Sequence, residues 1–216
     1  DWRSDMLQPL EKICALTNIE EITDLISSYL KKSVVIEDEK FSLLSYSSLS
    51  IEQFDQANQQ TIFSKRWPLS ILEKFMDEGI VHQLQTISKP FRIKQINDIG
   101  LNQRVVVSAK HNDKVLGYIW VQEIDEYLSE EEMEFLYEVS FHIGMLLFKE
   151  NQFKRNKEQE RDEFYEKIIQ ETFQSESQIK WEAANINITI PDTFLVNVFT
   201  VAQSDHEIFE ALNEKT

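Results

Sequence analysis

Residues Arg104 to Gln122, RVVVSAKHNDKVLGYIWVQ, restrict what this chain can fold into more than any other stretch. Two runs of β-branched and aromatic residues flank the polar pair Asn112-Asp113, a pattern that predicts an antiparallel hairpin with a tight turn. With that pair as the turn, Lys110 faces Val115, Ser108 faces Gly117, Val106 faces Ile119 and Arg104 faces Val121. Arg104, Ser108 and Gly117 then share one face of a sheet. Shortly after the hairpin, Leu128-Ser129-Glu130-Glu131-Glu132-Met133 carries the marks of a helix start. Ser129 is placed to cap, Glu132 to return the bond, and Leu128 and Met133 to staple the entry. Helical character then runs to about Phe173, interrupted only by Gly144, a span of roughly 45 residues or ~65 Å.

Upstream, Leu7, Leu10, Ile13 and Cys14 mark one helix. Asn18 to Lys32 forms a second, capped by Asn18 with Glu21 and apolar on the Ile22, Leu25, Ile26, Tyr29, Leu30 face. The period then changes: Ser33–Glu37 and Phe41–Tyr46 read as strands around the turn Asp38-Glu39-Lys40. Ser50 with Gln53 opens a helix through Phe54 and Ala57 toward Phe63. Pro68, at a first helical position, opens another that Gly79 ends. After Pro90, Phe91 and Ile93 alternate with Arg92 and Lys94 as a strand does. Strands grouped at both ends with helices between them predict an α+β fold, an antiparallel sheet flanked by helices, rather than βαβ units.

The long helix changes character along its length. Phe135, Leu136, Val139, Ile143, Leu146 and Leu147 should pack on the sheet, with apolar surface to spare for a second copy; a homodimer through this exit helix is expected. Lys154 to Glu163, KRNKEQERDE, has no apolar residue and can only be a solvated bridge. Apolar spacing resumes at Phe164, Ile168 and Phe173. Thr193–Val201 reads as a strand and Ser204-Asp205 as the cap of a helix through Ile208, Phe209 and Leu212, the opening of a second α/β domain. The expected organisation is a sensor-type domain over 1–150, a linker helix over 151–180 and the truncated start of a second domain over 181–216. Opening on Asp1 rather than Met, and ending on the polar Asn213–Thr216, fits a piece of a longer protein.

Composition removes several function classes. Lys and Arg total 22 against 38 Asp and Glu, a formal charge of −16, so the chain repels phosphate backbones and should not bind nucleic acid by itself. The single cysteine, Cys14, excludes an intrachain disulfide or a cysteine-based zinc site and is expected to be buried among Leu10 and Ile13. The histidines His82, His111, His142 and His206 lack metal-ligand spacing. No glycine-rich phosphate loop occurs, and Glu130-Glu131-Glu132 is explained by the helix dipole. No apolar run approaches the ~20 residues of a membrane span, so the cytoplasm is the simplest compartment. Neither an enzyme, a metal nor a cofactor is indicated.

Candidate ligand-binding residues come from the predicted sheet. Arg104 and Ser108 beside a glycine could seat a ligand carboxylate; the other reading is a sheet-edge Arg104 paired with a carboxylate of the chain. Tyr46 and Trp120 could wall a pocket or pack in the core. Arg92 is the rival to Arg104, although its alternation with Ile93 puts it on the solvent side.

The segments SVVIEDEKFSLLSYSS (Ser33 to Ser48), the turn Glu78-Gly79-Ile80, PFRIKQINDIGLNQR (Pro90 to Arg104) and the hairpin itself resemble the N-terminal GAF-like sensory region of PucR/CdaR-type bacterial transcription regulators. The likeness covers roughly Ser33 to Leu128. It implies a sensor domain, a long helix, a degenerate cyclase-like domain beginning near Trp181, and DNA binding only through a C-terminal helix-turn-helix absent from this chain. It also implies a small-molecule effector such as an amino acid, a purine catabolite or a sugar acid. The alternative is a ligand-free GAF-like module for dimerisation and signal relay, which would have a filled, wholly apolar interior.

Overall fold

The computed structural model describes residues 2–48, 51–191, 193 and 197–198. Its elements are α1 (Trp2–Cys14), α2 (Ile19–Leu30), β1 (Val34–Asp38), β2 (Leu43–Tyr46), α3 (Gln56–Ser64), α4 (Leu69–Asp77), α5 (Ile80–Thr86), β3 (Phe91–Ile93), β4 (Arg104–His111), β5 (Lys114–Gln122), α6 (Glu130–Ile169) and α7 (Glu176–Asn185). Single 3-10 turns occupy Ile51–Gln53 and Asn97–Ile99. The chain divides into two compact units that part between Arg155 and Asn156.

In the first unit a five-stranded sheet runs in the order β2-β1-β5-β4-β3, every neighbouring pair antiparallel. Alternation along the strands splits the core in two. Val34, Ile36, Val105, Val107, Ile119 and Val121 pack against α1, α2 and α6 through Ile13, Ile22, Ile26, Phe135, Val139 and Ile143. Val35, Val106, Tyr118 and Trp120 face the other way, onto Ala57 of α3, Ile71 and Phe75 of α4, and Ile80 and Leu84 of α5. The α+β architecture with a long exit helix is as the sequence predicts.

Local signals explain most element ends. Asn112 and Asp113 take φ of 50° and 61°, the left-handed pair of a type I′ turn. Ser129 Oγ accepts from Glu132 N at 3.2 Å while Ser129 N donates to Glu132 Oε2 at 2.8 Å, the reciprocal capping box. Asn18 caps α2 by accepting from Glu21 N. The middle of α6 docks without a side chain between it and the hairpin: a Cβ on Gly144 would overlap the Lys110 carbonyl oxygen, and one on Gly117 would lie 2.8 Å from Leu147 Cδ1.

Five readings need correction. The hairpin register holds at Lys110↔Val115 but then shifts, because Leu116 bulges out and Ala109 pairs with Gly117, Ser108 with Tyr118 and Arg104 with Gln122. Gly117 therefore lies on the α6 side of the sheet, opposite Arg104 and Ser108. The helix predicted to open at Ser50, itself outside the described residues, starts at Gln56, where Asp55 accepts from Asn58 N and caps α3. Pro68 sits at the N-cap of α4 rather than its first turn, and Gly79, left-handed at φ 74°, leads at once into an unpredicted helix, α5. The long helix stops at Ile169, where left-handed Glu171 and the Thr172 N to Lys167 O bond close a Schellman motif ahead of Phe173. Cys14, at the end of α1, is exposed rather than buried.

In the second unit residues 156–163 of α6 are exposed, the solvated stretch expected from their composition. Phe164 and Ala183 are buried between the end of α6 and α7, Phe173 lies 5.7 Å from the Phe164 ring, and Lys167 pairs with Glu182 at 3.3 Å. Ser175 caps α7, a helix the sequence reading left unassigned. Of the strand read over Thr193–Val201 only Thr193, Asn197 and Val198 are described, and the helix opening at Ser204 lies outside the described residues.

Candidate functional site

The sheet face turned toward α3, α4 and α5 carries two opposite charges that are both buried. Glu37 on β1 is 1% exposed and Arg104 on β4 is 3% exposed. Alternation dictates this: Val35 and Glu37 share a face, and Glu37 lies opposite Tyr118, so a strand ending in a carboxylate delivers it among rings.

Glu37 sits in an aromatic cluster. Trp120 Nε1 donates to its Oε2 at 3.0 Å, whereas Oε1 has no hydrogen-bond partner among the described residues. Trp67 lies 4.7 Å from Trp120 and 4.6 Å from Phe41, which stacks in turn on Tyr118 at 5.0 Å. Burial pushes the Glu37 carboxyl well above the usual carboxylate range; the Trp67 and Trp120 indoles and Arg104 only partly oppose this. The Trp67 indole lowers the Glu37 pKa as a nearby hydrogen-bonding group, yet its placement does not meet hydrogen-bond geometry at Oε1. The same burial raises the Tyr118 hydroxyl to about 12, while Gln85 Nε2 donates to it at 2.9 Å.

Phe41 and Trp67 close this cluster from two loops. Asp38 Oδ1 accepts from Lys40 N and Ser42 N, both at 2.9 Å, which tightens the turn after β1 and leaves Phe41 left-handed at φ 61°. Trp67 N donates to Phe41 O at 3.1 Å and Leu43 N to Lys65 O at 2.8 Å, so the two loops are fastened together.

The residues singled out from sequence are placed as follows. Arg104 is not at a sheet edge; β4 is an inner strand. Its guanidinium pairs with Asp55, donates to Asn58 Oδ1 at 2.9 Å and to Asn102 O at 3.1 Å. Asp55 also accepts from Asn58 N and Asn102 N, and Gln122 Oε1 accepts from Asn58 Nδ2 at 3.2 Å. Burial lowers the Arg104 pKa, with Asp55 and then Glu37 resisting the shift. This network fastens the start of α3 to the sheet, the ion-pair reading of Arg104. Ser108 is spent on Leu84 O at 2.6 Å. Tyr46 is partly exposed, edge-on to Phe54 at 6.1 Å, and Trp120 alone of the five faces Glu37. Arg92 pairs with Val105 on the opposite face from Arg104 and is exposed, as its alternation with Ile93 implies, while it bonds Glu123 at 3.1 Å and Leu128 O at 2.7 Å. Glu37 itself was missed: its alternation with Val35 was the available signal, but burial of a carboxylate is not legible in one strand.

Among the described residues no group of three or more His, Cys, Asp or Glu could hold a metal ion, and no helix is long and apolar enough to cross a membrane. No family model matches the chain. It is 44% identical over 209 residues to the proline-responsive transcriptional activator PutR of Bacillus subtilis, an alignment that covers 97% of this chain and 51% of PutR. The chain is homologous to a transcriptional activator. A second relative, the DNA-binding transcriptional activator AdeR of Bacillus subtilis, is 30% identical over 183 residues, covering 85% of this chain and 43% of AdeR. The chain thus spans about half the length of the curated relatives it matches. Its homology to these regulators agrees with the resemblance carried by Ser33–Ser48 and the hairpin. Among solved structures, the GAF domain of a phosphoenolpyruvate-protein phosphotransferase from Coxiella burnetii is similar, with a TM-score of 0.48, 13% identity, and coverage of 70% of this chain and 98% of that domain.

Proposed function

We propose that this chain is the effector-sensing and dimerising region of a PucR/CdaR-type transcription regulator, and that its effector is a small amino acid, proline first. The observation that carries this reading is the buried Glu37 carboxyl, with one oxygen lacking a hydrogen-bond partner among the described residues, on a sheet face lined by Trp120, Trp67 and Phe41. A module that only joins two chains has no use for a buried carboxyl oxygen without a donor, which costs stability. Proline as the effector is carried over from PutR, whose name describes it as proline-responsive. An amino acid also suits an aromatic wall better than a polyhydroxylated sugar acid, which needs many polar partners. Sensor over 1–150, linker over 151–180 and the start of a second domain over 181–216 complete the reading. DNA is then bound only through a C-terminal domain, in the cytoplasm, with no catalytic step.

Dimerisation is assigned to α6, where Tyr137, Phe141, Met145 and Phe148 recur at helical spacing and Phe141 is 49% exposed. Light scattering should give a dimer that Phe141→Asp weakens; a mass of 25.5 kDa at micromolar concentration contradicts it. The sensing function is tested by thermal shift against amino acids, purine catabolites and sugar acids. A true effector at ~100-fold its Kd adds about 2.7 kcal/mol of stability. If only a sugar acid or purine catabolite shifts the melt, the effector class is wrong. If nothing does, the ligand-free relay module is the better reading.

A further inference from the structure

We propose that Glu37 is the seat for a ligand ammonium group, walled by Trp67, Trp120, Phe41 and Tyr118. The proposal rests on the sensing function above and names the chemistry read at that site. Three observations carry it. Glu37 Oε1 is buried with no hydrogen-bond partner among the described residues, a condition that native interiors avoid unless something else supplies the donor. Its companion oxygen is held by Trp120 Nε1, which fixes the direction of the carboxyl group. The surroundings are ring faces, whose negative quadrupoles repel an anion and attract a cation.

A cationic N–H group placed between Oε1 and the rings satisfies both at once. No cation of the sheet does so: Arg104 acts on Glu37 through space, while its own N–H groups engage Asp55, Asn58 and Asn102. The same ring faces disfavour an anionic ligand group at this spot. Entry requires Phe41 and Trp67 to part. Phe41 is suited to that, being half-buried and held in a left-handed conformation that a bulky residue rarely adopts. The cationic end of the ligand alone is assigned.

The test compares L-proline with (S)-tetrahydrofuran-2-carboxylate, in which a ring oxygen replaces the ammonium, by isothermal titration of the full 216-residue chain. Wild type should bind L-proline at least 100-fold more tightly than the oxygen analogue. Glu37→Gln should lose at least 100-fold for L-proline and little for the analogue. Glu37→Asp, which keeps the carboxyl but withdraws it by a methylene, should lose at least tenfold and serves if Glu37→Gln does not fold. Equal binding of L-proline to wild type and to the folded variants overturns the proposal and leaves the sensing function standing. Equal binding of L-proline and the analogue to wild type does the same. No binding of L-proline to wild type overturns the proposal together with proline as the effector, and the sensing function itself then stands or falls by the thermal-shift screen.

Discussion

Replacing Glu37 with glutamine should change how the unliganded chain's stability responds to pH. In the folded chain burial keeps the Glu37 carboxyl protonated at pH values where the unfolded chain, at about the ordinary 4.5, has lost that proton. The native state therefore binds more protons than the unfolded state above pH 4.5, and stability falls as pH rises toward the folded pKa. Below 4.5 both states are protonated and this contribution is level. The slope inside the window reaches about 1.4 kcal/mol per pH unit, or roughly 3–5 °C in Tm for a chain of this size. The charges acting on Glu37 are Arg104, which favours ionisation, and Asp38, which opposes it; Tyr118, raised to about 12, stays neutral throughout. Glu37→Gln keeps an acceptor for Trp120 Nε1 and has no proton to lose. Thermal melts of both proteins from pH 4.5 to 8 give the decisive quantity, the difference in Tm between wild type and variant. That difference should move against wild type as pH rises. A flat difference would falsify the assignment of Glu37 as a buried, protonated carboxyl.

Arg104→Ala strands Asp55 in the interior without a counter-charge and should cost about 3–5 kcal/mol in urea melts; a loss below ~1 kcal/mol would show that the α3 anchor does not depend on this pair. Gly144→Ala gains helix propensity of up to ~1 kcal/mol but drives a methyl into the Lys110 carbonyl. A net loss of about 1–3 kcal/mol is expected from overpacking, and a variant as stable as wild type would mean that α6 and the hairpin are not in backbone contact. The chain should not retard duplex DNA at physiological salt, given its −16 charge; a salt-sensitive gel shift with this chain alone would contradict that.

What could be read from sequence was what neighbouring residues decide. Asn112-Asp113 specifies a turn by its own tolerance of positive φ, and Ser129 with Glu132 specifies a helix start by a bond that spans one turn. The fold class followed from periodicity. What escaped depended on residues far apart in the chain. Arg104 meets Asp55 and Asn58 only because α3 is laid across the sheet, and no local pattern foretells that meeting. Glu37 looked like the polar end of a strand because its burial is supplied by Trp67 and Trp120, distant in sequence. The end of α6 was overread because Glu171, an ordinary helix former, adopts the left-handed conformation usually left to glycine.

The bulge at Leu116 makes chain length matter unequally along the hairpin. A strand has parity: odd and even residues go to opposite faces, and gaining or losing one residue exchanges them. Leu116 has no partner of its own, while Val115 and Gly117 are paired with the adjacent Lys110 and Ala109. Removing Leu116 would leave every remaining pair in place and turn no other side chain over, at the expense of one buried leucine. Removing one residue between Tyr118 and Gln122 would instead break the alternation that sends Tyr118, Trp120 and Gln122 to one face and Ile119 and Val121 to the other. Homologous hairpins can therefore differ by one residue at Leu116 and keep the same aromatic face toward Glu37, whereas a gap a few positions later marks a different interior.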